Sequence, residues 1–233
     1  MPRLEVIKNK PGDTLPIIEK NILVCEEYKT IFSGSAKVAT SSIRNYFKTQ
    51  NIQMIQCPYS KLNEYKNYFT FSFVRNPWDR MVSLYCNKIL SPNKVNIKTG
   101  VDICFEKYED TFYPGMSFGK FVKNIVSLNQ TDLDEQDGHI YPQYWRTCAI
   151  GTQNIILDFV GKFENINKDW WRVCKTSGLP FKELEHKNKV RKCHYSYYYD
   201  IEIKNIVSQY WSTDINLFNY TFEKIGEWEN ELD

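Results

Sequence analysis

The run from Tyr28 to Phe47, YKTIFSGSAKVATSSIRNYF, constrains this chain more than any other stretch. Thr30, Ile31 and Phe32 are β-branched or aromatic, Ser33-Gly34-Ser35 interrupts them, and Ile43 and Phe47 then recur at helical spacing. That order predicts strand, loop and helix. Lys37 and the hydroxyl triplet Thr40-Ser41-Ser42 fall where the helix opens, where the first backbone N–H groups have no intrahelical acceptor. Such a turn can hold an anion. It differs from the nucleotide phosphate loop G-x-x-x-x-G-K-[ST], because Lys37 precedes the hydroxyls without adjoining them and Ala39 stands where a glycine is expected. A triphosphate cradle is therefore disfavoured, and a shorter anion with the lysine at its leaving-group end fits better. Taken alone, the loop reads equally well as a hydroxyl-capped helix beside a solvated lysine.

A second stretch, Phe71 to Lys88, repeats the plan. Tyr68 to Val74 reads as a buried strand, after which Asn76 caps a helix with Pro77 at its first position and Asp79 in its first turn. Trp78, Val82, Tyr85 and Ile89 form the core-facing stripe of that helix. Arg75 leaves the strand beside the helix opening, and Ser83 sits about two turns further along.

Together, Lys37-Val38-Ala39-Thr40-Ser41-Ser42 and Arg75-Asn76-Pro77 with Ser83 resemble the two cofactor sites of sulfotransferases that use 3′-phosphoadenosine 5′-phosphosulfate (PAPS), most of all the carbohydrate branch. The resemblance continues through His139-Ile140-Tyr141-Pro142-Gln143 and Phe159 to Asn165, and ends with Tyr195 to Asp200 and Asp214 to Phe222. It implies that residues 37 to 42 hold the 5′-phosphosulfate and that Arg75 and Ser83 hold the 3′-phosphate. The family usually has proline before the lysine and glycine two places after it; this chain has Ala36 and Ala39. The resemblance also implies an α/β fold, P-loop-like, with a central parallel sheet flanked by helices, over residues 28–222. Residues 1–27 are then a lead-in and 223–233 a charged tail.

Within that reading His139 is the candidate general base, since imidazole titrates in the range that suits proton removal from a hydroxyl. A histidine before Tyr-Pro serves equally to bond a backbone carbonyl, and His194, Glu64 and Glu164 are the reserves. Lys37 is the candidate that stabilises the departing oxygen. The loop HKNKVRKCH, 186 to 194, is basic, and the resemblance places it near the cofactor, with Arg191 toward the 3′-phosphate. No His/Cys cluster has ligand spacing, so no metal is expected.

Composition narrows the remaining classes. A net charge of +2 over 233 residues gives no reason to invoke nucleic acid or an anionic membrane, and no apolar run is long enough to span a bilayer. Seven cysteines, an odd number, without C-x-x-C or a signal-peptide pattern make reduced thiols and a cytoplasmic location the expectation. The partner expected is a carbohydrate or small-molecule acceptor, with oligomeric state left open. Two alternatives stand beside the transferase: a nucleotide-dependent kinase of related topology, and a homologue that binds the cofactor without turnover.

The remaining elements follow in order. Residues 51–57 suit a second strand and 59–66 a short connecting helix, and the Tyr68 strand with the Trp78 helix completes a βαβα pattern. Residues 91–116 form a long excursion, a candidate for part of the acceptor pocket. Ser117 caps a helix carrying Phe118, Phe121, Val122 and Ile125, and 132–137 is an acidic turn. A strand at 155–159, a helix at 169–176 closed by Gly178, and one long helix over 197–218 with Ile201, Ile206, Tyr210 and Leu217 inward complete the expectation.

Overall fold

The computed structural model describes residues 22–57, 59–92, 95, 100, 102, 105, 108, 111–128, 138–149, 151–185 and 193–224. They fall into two compact units: one from residues up to Arg75 together with 133–187, the other from 76–132 together with 188 onward. Among the described residues no helix is long and apolar enough to cross a membrane.

The first unit is built on a five-stranded sheet in the order β3-β1-β2-β4-β5, with β1 at Ile22–Cys25, β2 at Thr30–Ser33, β3 at Ile55–Gln56, β4 at Phe69–Val74 and β5 at Phe159–Lys162. The β2-β4-β5 part is parallel, with Phe32 opposite Phe71 and Phe73 opposite Gly161. The other edge is antiparallel: β1 pairs with β2 as a hairpin and β3 pairs with β1. The sheet is thus mixed where a parallel one was expected. The reason is the tight turn at residues 26–29, closed by Lys29 in the left-handed region with φ 47° and a bond from its N–H to the Glu26 carbonyl. So short a connection can join only antiparallel strands. It also brings Ile22–Cys25, upstream of the boundary expected at residue 28, into the sheet.

Helix α1 (Thr40–Thr49) and helix α4 (Ile166–Ser177) supply the helical side of this unit. Phe32, Phe71 and Phe73 from the strands pack with Ile43, Tyr46 and Phe47 of α1 and with Trp170, Val173 and Cys174 of α4. Tyr46 meets Trp170 edge-on at 4.8 Å between ring centroids, and its hydroxyl bonds the Pro180 carbonyl. Gly161 makes the close approach possible: a Cβ there would lie 2.5 Å from the Phe73 ring and 3.1 Å from Asp169 Cβ. The opposite face carries Ile22, Val24, Ile31, Cys57 and Leu62. Burial pushes the Cys174 thiol up to about 12, so it remains neutral at physiological pH.

The second unit is helical. Helix α2 (Pro77–Tyr85) begins as expected, with Asn76 Oδ1 accepting from Trp78 N at 3.1 Å and Asp79 N at 3.3 Å, and Trp78, Val82, Tyr85 and Ile89 are all buried. It continues as a π-helical turn, Cys86–Leu90. Helix α3 (Phe118–Ser127) buries the expected face and is capped by Ser117. The long terminal helix is instead three pieces: a 3₁₀ turn Tyr195–Tyr198, helix α5 (Ile201–Tyr210) and helix α6 (Ser212–Leu217). Asp200 caps α5 through Ile203 N at 2.8 Å. The inward face, packed against α2 and α3, differs from the expected one: Ile203, Val207 and Trp211 are buried, whereas Ile201 is 70% exposed. The acidic turn 132–137 and most of the basic loop, residues 186–192, lie outside the described residues.

Candidate active site

The loop from Gly34 to Ala39 joins β2 to α1 and is held by its own atoms. A Cβ on Gly34 would lie 2.9 Å from the Phe32 ring and 3.1 Å from Thr40 Cγ2, so only glycine fits without displacement. Thr40 Oγ1 donates to the Ser35 carbonyl at 2.5 Å, and this bond closes the loop across its mouth. Lys37 and Ala39 both take left-handed conformations, each with φ 67°, around a fully buried Val38. Ala39 is the N-cap of α1 and offers no side-chain cap. The first helical bond runs from Ile43 N to the Ala39 carbonyl. The backbone N–H groups of Thr40, Ser41 and Ser42 therefore precede the helical ladder, next to left-handed residues that fold the chain into a concave turn, a geometry suited to anions.

The candidate residues occupy distinct places here. Ser41 is exposed at the helix opening, Ser42 is buried, and Lys37 is half-buried. Val38 faces the core, which leaves its peptide group as what it can offer a ligand. The Thr40 hydroxyl proton is directed to Ser35, so this side chain shapes the loop.

Arg75 is the first residue past β4. Its guanidinium donates through Nη1 to the Lys37 carbonyl at 3.1 Å and lies over the Phe163 ring at 4.4 Å. The left-handed turn at Lys37 is what presents that carbonyl. A planar guanidinium held by a stack and a carbonyl bond is pre-oriented, as phosphate recognition requires. The Arg75 backbone is gripped as well: its N–H donates to Gln143 Oε1 at 2.8 Å and its carbonyl accepts from Gln143 Nε2 at 2.9 Å. Gln143 belongs to the motif quoted above, yet nothing in its spacing distinguishes this clamp from an ordinary polar side chain; Phe163 was likewise not singled out.

His139 stands half-exposed in a short turn, followed by Ile140 and Tyr141, both buried, and by the 3₁₀ turn Gln143–Arg146. Of the reserves, Glu64 and Glu164 are exposed. His194 serves as a cap, its Nδ1 accepting from Ser196 N at 3.3 Å and lying 2.9 Å from Ser196 Oγ. Ser83 lies half-buried on α2 in the second unit, and Arg191 is outside the described residues. The structure thus brings Lys37 and Arg75 into contact through main chain and guanidinium, and reaches the His139 segment through Gln143.

On the second face of the sheet lies a small cavity of about 30 Å³, whose lining includes Ser33, Thr70, Trp145, Arg146 and Cys148. Its hydroxyls are engaged internally: Ser33 Oγ donates to the Arg146 carbonyl at 2.7 Å and Thr70 Oγ1 bonds Asp158 Oδ2 at 2.9 Å.

Comparison with known proteins adds three findings. The model of the Sulfotransferase family matches residues 20–221. An uncharacterized protein of Archaeoglobus fulgidus is 28% identical over 116 residues, covering 50% of this chain and 72% of that protein. Carbohydrate sulfotransferase 14 of Danio rerio is 23% identical over 186 residues, covering 69% of this chain and 49% of that protein, so the chain spans about half of the latter's length. No solved structure matches.

Proposed function

The chain belongs to the sulfotransferase family, and on that premise we propose that it transfers a sulfuryl group from PAPS to a hydroxyl of a carbohydrate or small natural product. The observation that carries this reading is the bond from Arg75 Nη1 to the Lys37 carbonyl, which sets a pre-oriented guanidinium beside the loop that opens α1. The donor supplies an activated S–O bond and two phosphate ends. Backbone N–H groups of residues 38–42 and the Ser41 and Ser42 hydroxyls receive the 5′ end, and Arg75 receives the 3′-phosphate. PAPS would supply the sulfuryl group on that activated bond, which would break toward the 5′-phosphate as the acceptor oxygen bonds to sulfur. Lys37 would set its positive charge beside that departing oxygen and stabilise the negative charge it gains, and His139 would take the acceptor's proton. As in phosphoryl transfer, most of the acceleration is positioning and electrostatics. The carbohydrate acceptor rests on the Danio rerio relative, whose name specifies that class.

The test is thermal unfolding with 3′,5′-adenosine bisphosphate (PAP), with ATP and Mg²⁺ as control, followed by transfer from PAPS to a panel of sugar and phenol acceptors. At a hundredfold excess over Kd, binding adds about 2.7 kcal/mol, and for a chain of this size each kcal/mol moves Tm by roughly 2–4 °C. A rise on the order of 5–10 °C with PAP alone supports the reading. A response only to ATP and Mg²⁺ overturns it in favour of a kinase. PAP binding without any transfer makes the chain a non-catalytic binder. Lys37→Ala and His139→Ala should each retain the wild-type Tm and lose at least about a hundredfold in kcat.

A further inference from the structure

We propose that Gln143 is a positioning residue: its side-chain amide fixes the backbone of Arg75, and the 3₁₀ turn it opens ties the His139 segment to the strand ends that launch both anion loops. The inference rests on the reading that Arg75 and the Lys37 loop hold the phosphates.

At Val74 the β4-β5 ladder ends, with Val74 opposite Lys162. Arg75 is therefore the first residue whose peptide groups need partners from elsewhere. Gln143, fully buried, supplies both: Oε1 accepts from Arg75 N at 2.8 Å and Nε2 donates to Arg75 O at 2.9 Å. A carboxamide carries one acceptor and one donor side by side, as a neighbouring strand would present them. The clamp acts on main chain, so it sets where the guanidinium starts without competing for it.

The same four-residue turn, Gln143–Arg146, is pinned at its other end. The Arg146 carbonyl accepts from Ser33 Oγ at 2.7 Å, and the Ser33 carbonyl accepts from Ser72 Oγ at 2.5 Å. Ser33 ends β2, immediately before the Lys37 loop, as Arg75 ends β4. One short turn therefore grips both strand ends. His139 stands four residues before Gln143, and the chain between them is anchored by buried Ile140 and Tyr141. Moving the turn moves phosphate ligands and candidate base together.

Gln143→Glu and Gln143→Met separate this role from simple support. Methionine keeps the length and removes both bonds; glutamate keeps the acceptor and, when ionised, cannot donate to the Arg75 carbonyl. Burial beside a carbonyl oxygen raises that carboxyl's pKa, so acidification restores the donor as a neutral COOH group. The measurement is PAP affinity by calorimetry from pH 8 to pH 5.5, each variant taken as a ratio to wild type at the same pH, on protein shown by circular dichroism to be folded. Expected are losses of at least about tenfold for both variants at pH 8. On acidification the glutamate variant returns toward wild type and the methionine variant does not. Wild-type-like affinity in both variants at pH 8, or an acid recovery shared by both, overturns the clamp while leaving the anion site standing. A wild type that binds no PAP overturns the anion-site reading and this proposal with it.

Discussion

Ala39 sits at φ 67°, ψ 8° at the N-cap of α1, and a side chain there has a definite energetic sign. A Cβ in the left-handed region costs about 1–2 kcal/mol. Replacing Ala39 by glycine recovers that cost but releases about 0.4–1 kcal/mol of extra freedom in the unfolded chain. The lost methyl is half-buried against the core beside α1, and it forfeits about half of the ~0.8 kcal/mol per buried carbon. The balance leaves Ala39→Gly more stable by about 0.5 kcal/mol, or ~1–2 °C in Tm. Ala39→Val acts in the opposite direction, because a β-branched residue at positive φ is strained by a further ~1–2 kcal/mol, which lowers Tm by ~2–8 °C. Scanning calorimetry and urea unfolding of the three proteins should give the order glycine, alanine, valine, with unchanged urea m-values to show that the denatured state is the same. A valine variant as stable as wild type, or a glycine variant less stable by more than about 1 kcal/mol, would refute the argument that backbone strain at this position outweighs the methyl's packing.

The remaining predictions concern packing, capping and ionisation. Gly161→Ala places a methyl 2.5 Å from the Phe73 ring and should cost about 1–3 kcal/mol; a Tm within 1 °C of wild type would mean that strand and helix part more easily than the fold implies. Asn76→Ala removes the two N-cap bonds of α2 and the bond from Nδ2 to the Thr221 carbonyl at 3.0 Å. A loss of about 1–2 kcal/mol by urea unfolding is expected, and Asn76→Asp, which keeps the cap acceptor, should fall between it and wild type. The Cys174 thiol is raised from 9.0 to about 12 by burial, so its protonated form is favoured by folding. Its stabilising contribution is complete below pH 9 and is lost as pH rises toward 12. The urea midpoint should thus decline over that window, and less steeply in Cys174→Val; identical slopes would assign the decline to other groups, such as Tyr46, which burial also pushes up.

Local chemistry made much of this protein legible in its sequence. Asn76 before Pro77, Ser117 before an apolar stripe and Gly178 after a last helical turn each act within a few residues of themselves, and each ends an element where expected. The two strand-to-helix connections were legible for the same reason, since strand, break and helix start are contiguous in Tyr28–Phe47 and again around Arg75. The inward face of α5 differs from the expected one by about 100° of helix rotation, because apolar residues lie on both sides of this stretch and packing against α2 and α3 selects Ile203 and Val207 over Ile206 and Tyr210.

What the tertiary structure decided is non-local. Strand direction at the β1 edge follows from a four-residue turn and from hydrogen bonds to β2, neither visible in a four-residue apolar run. The left-handed geometry at Lys37 and Ala39 is imposed on residues that do not prefer it, held by Thr40 on Ser35 within the loop and by Arg75 on Lys37 across the sheet. The grip of Gln143 on Arg75 joins residues 68 positions apart. A sequence carries the propensity of each residue, but a donor and an acceptor that far apart find each other only when the folded backbone has brought their peptide planes within 3 Å.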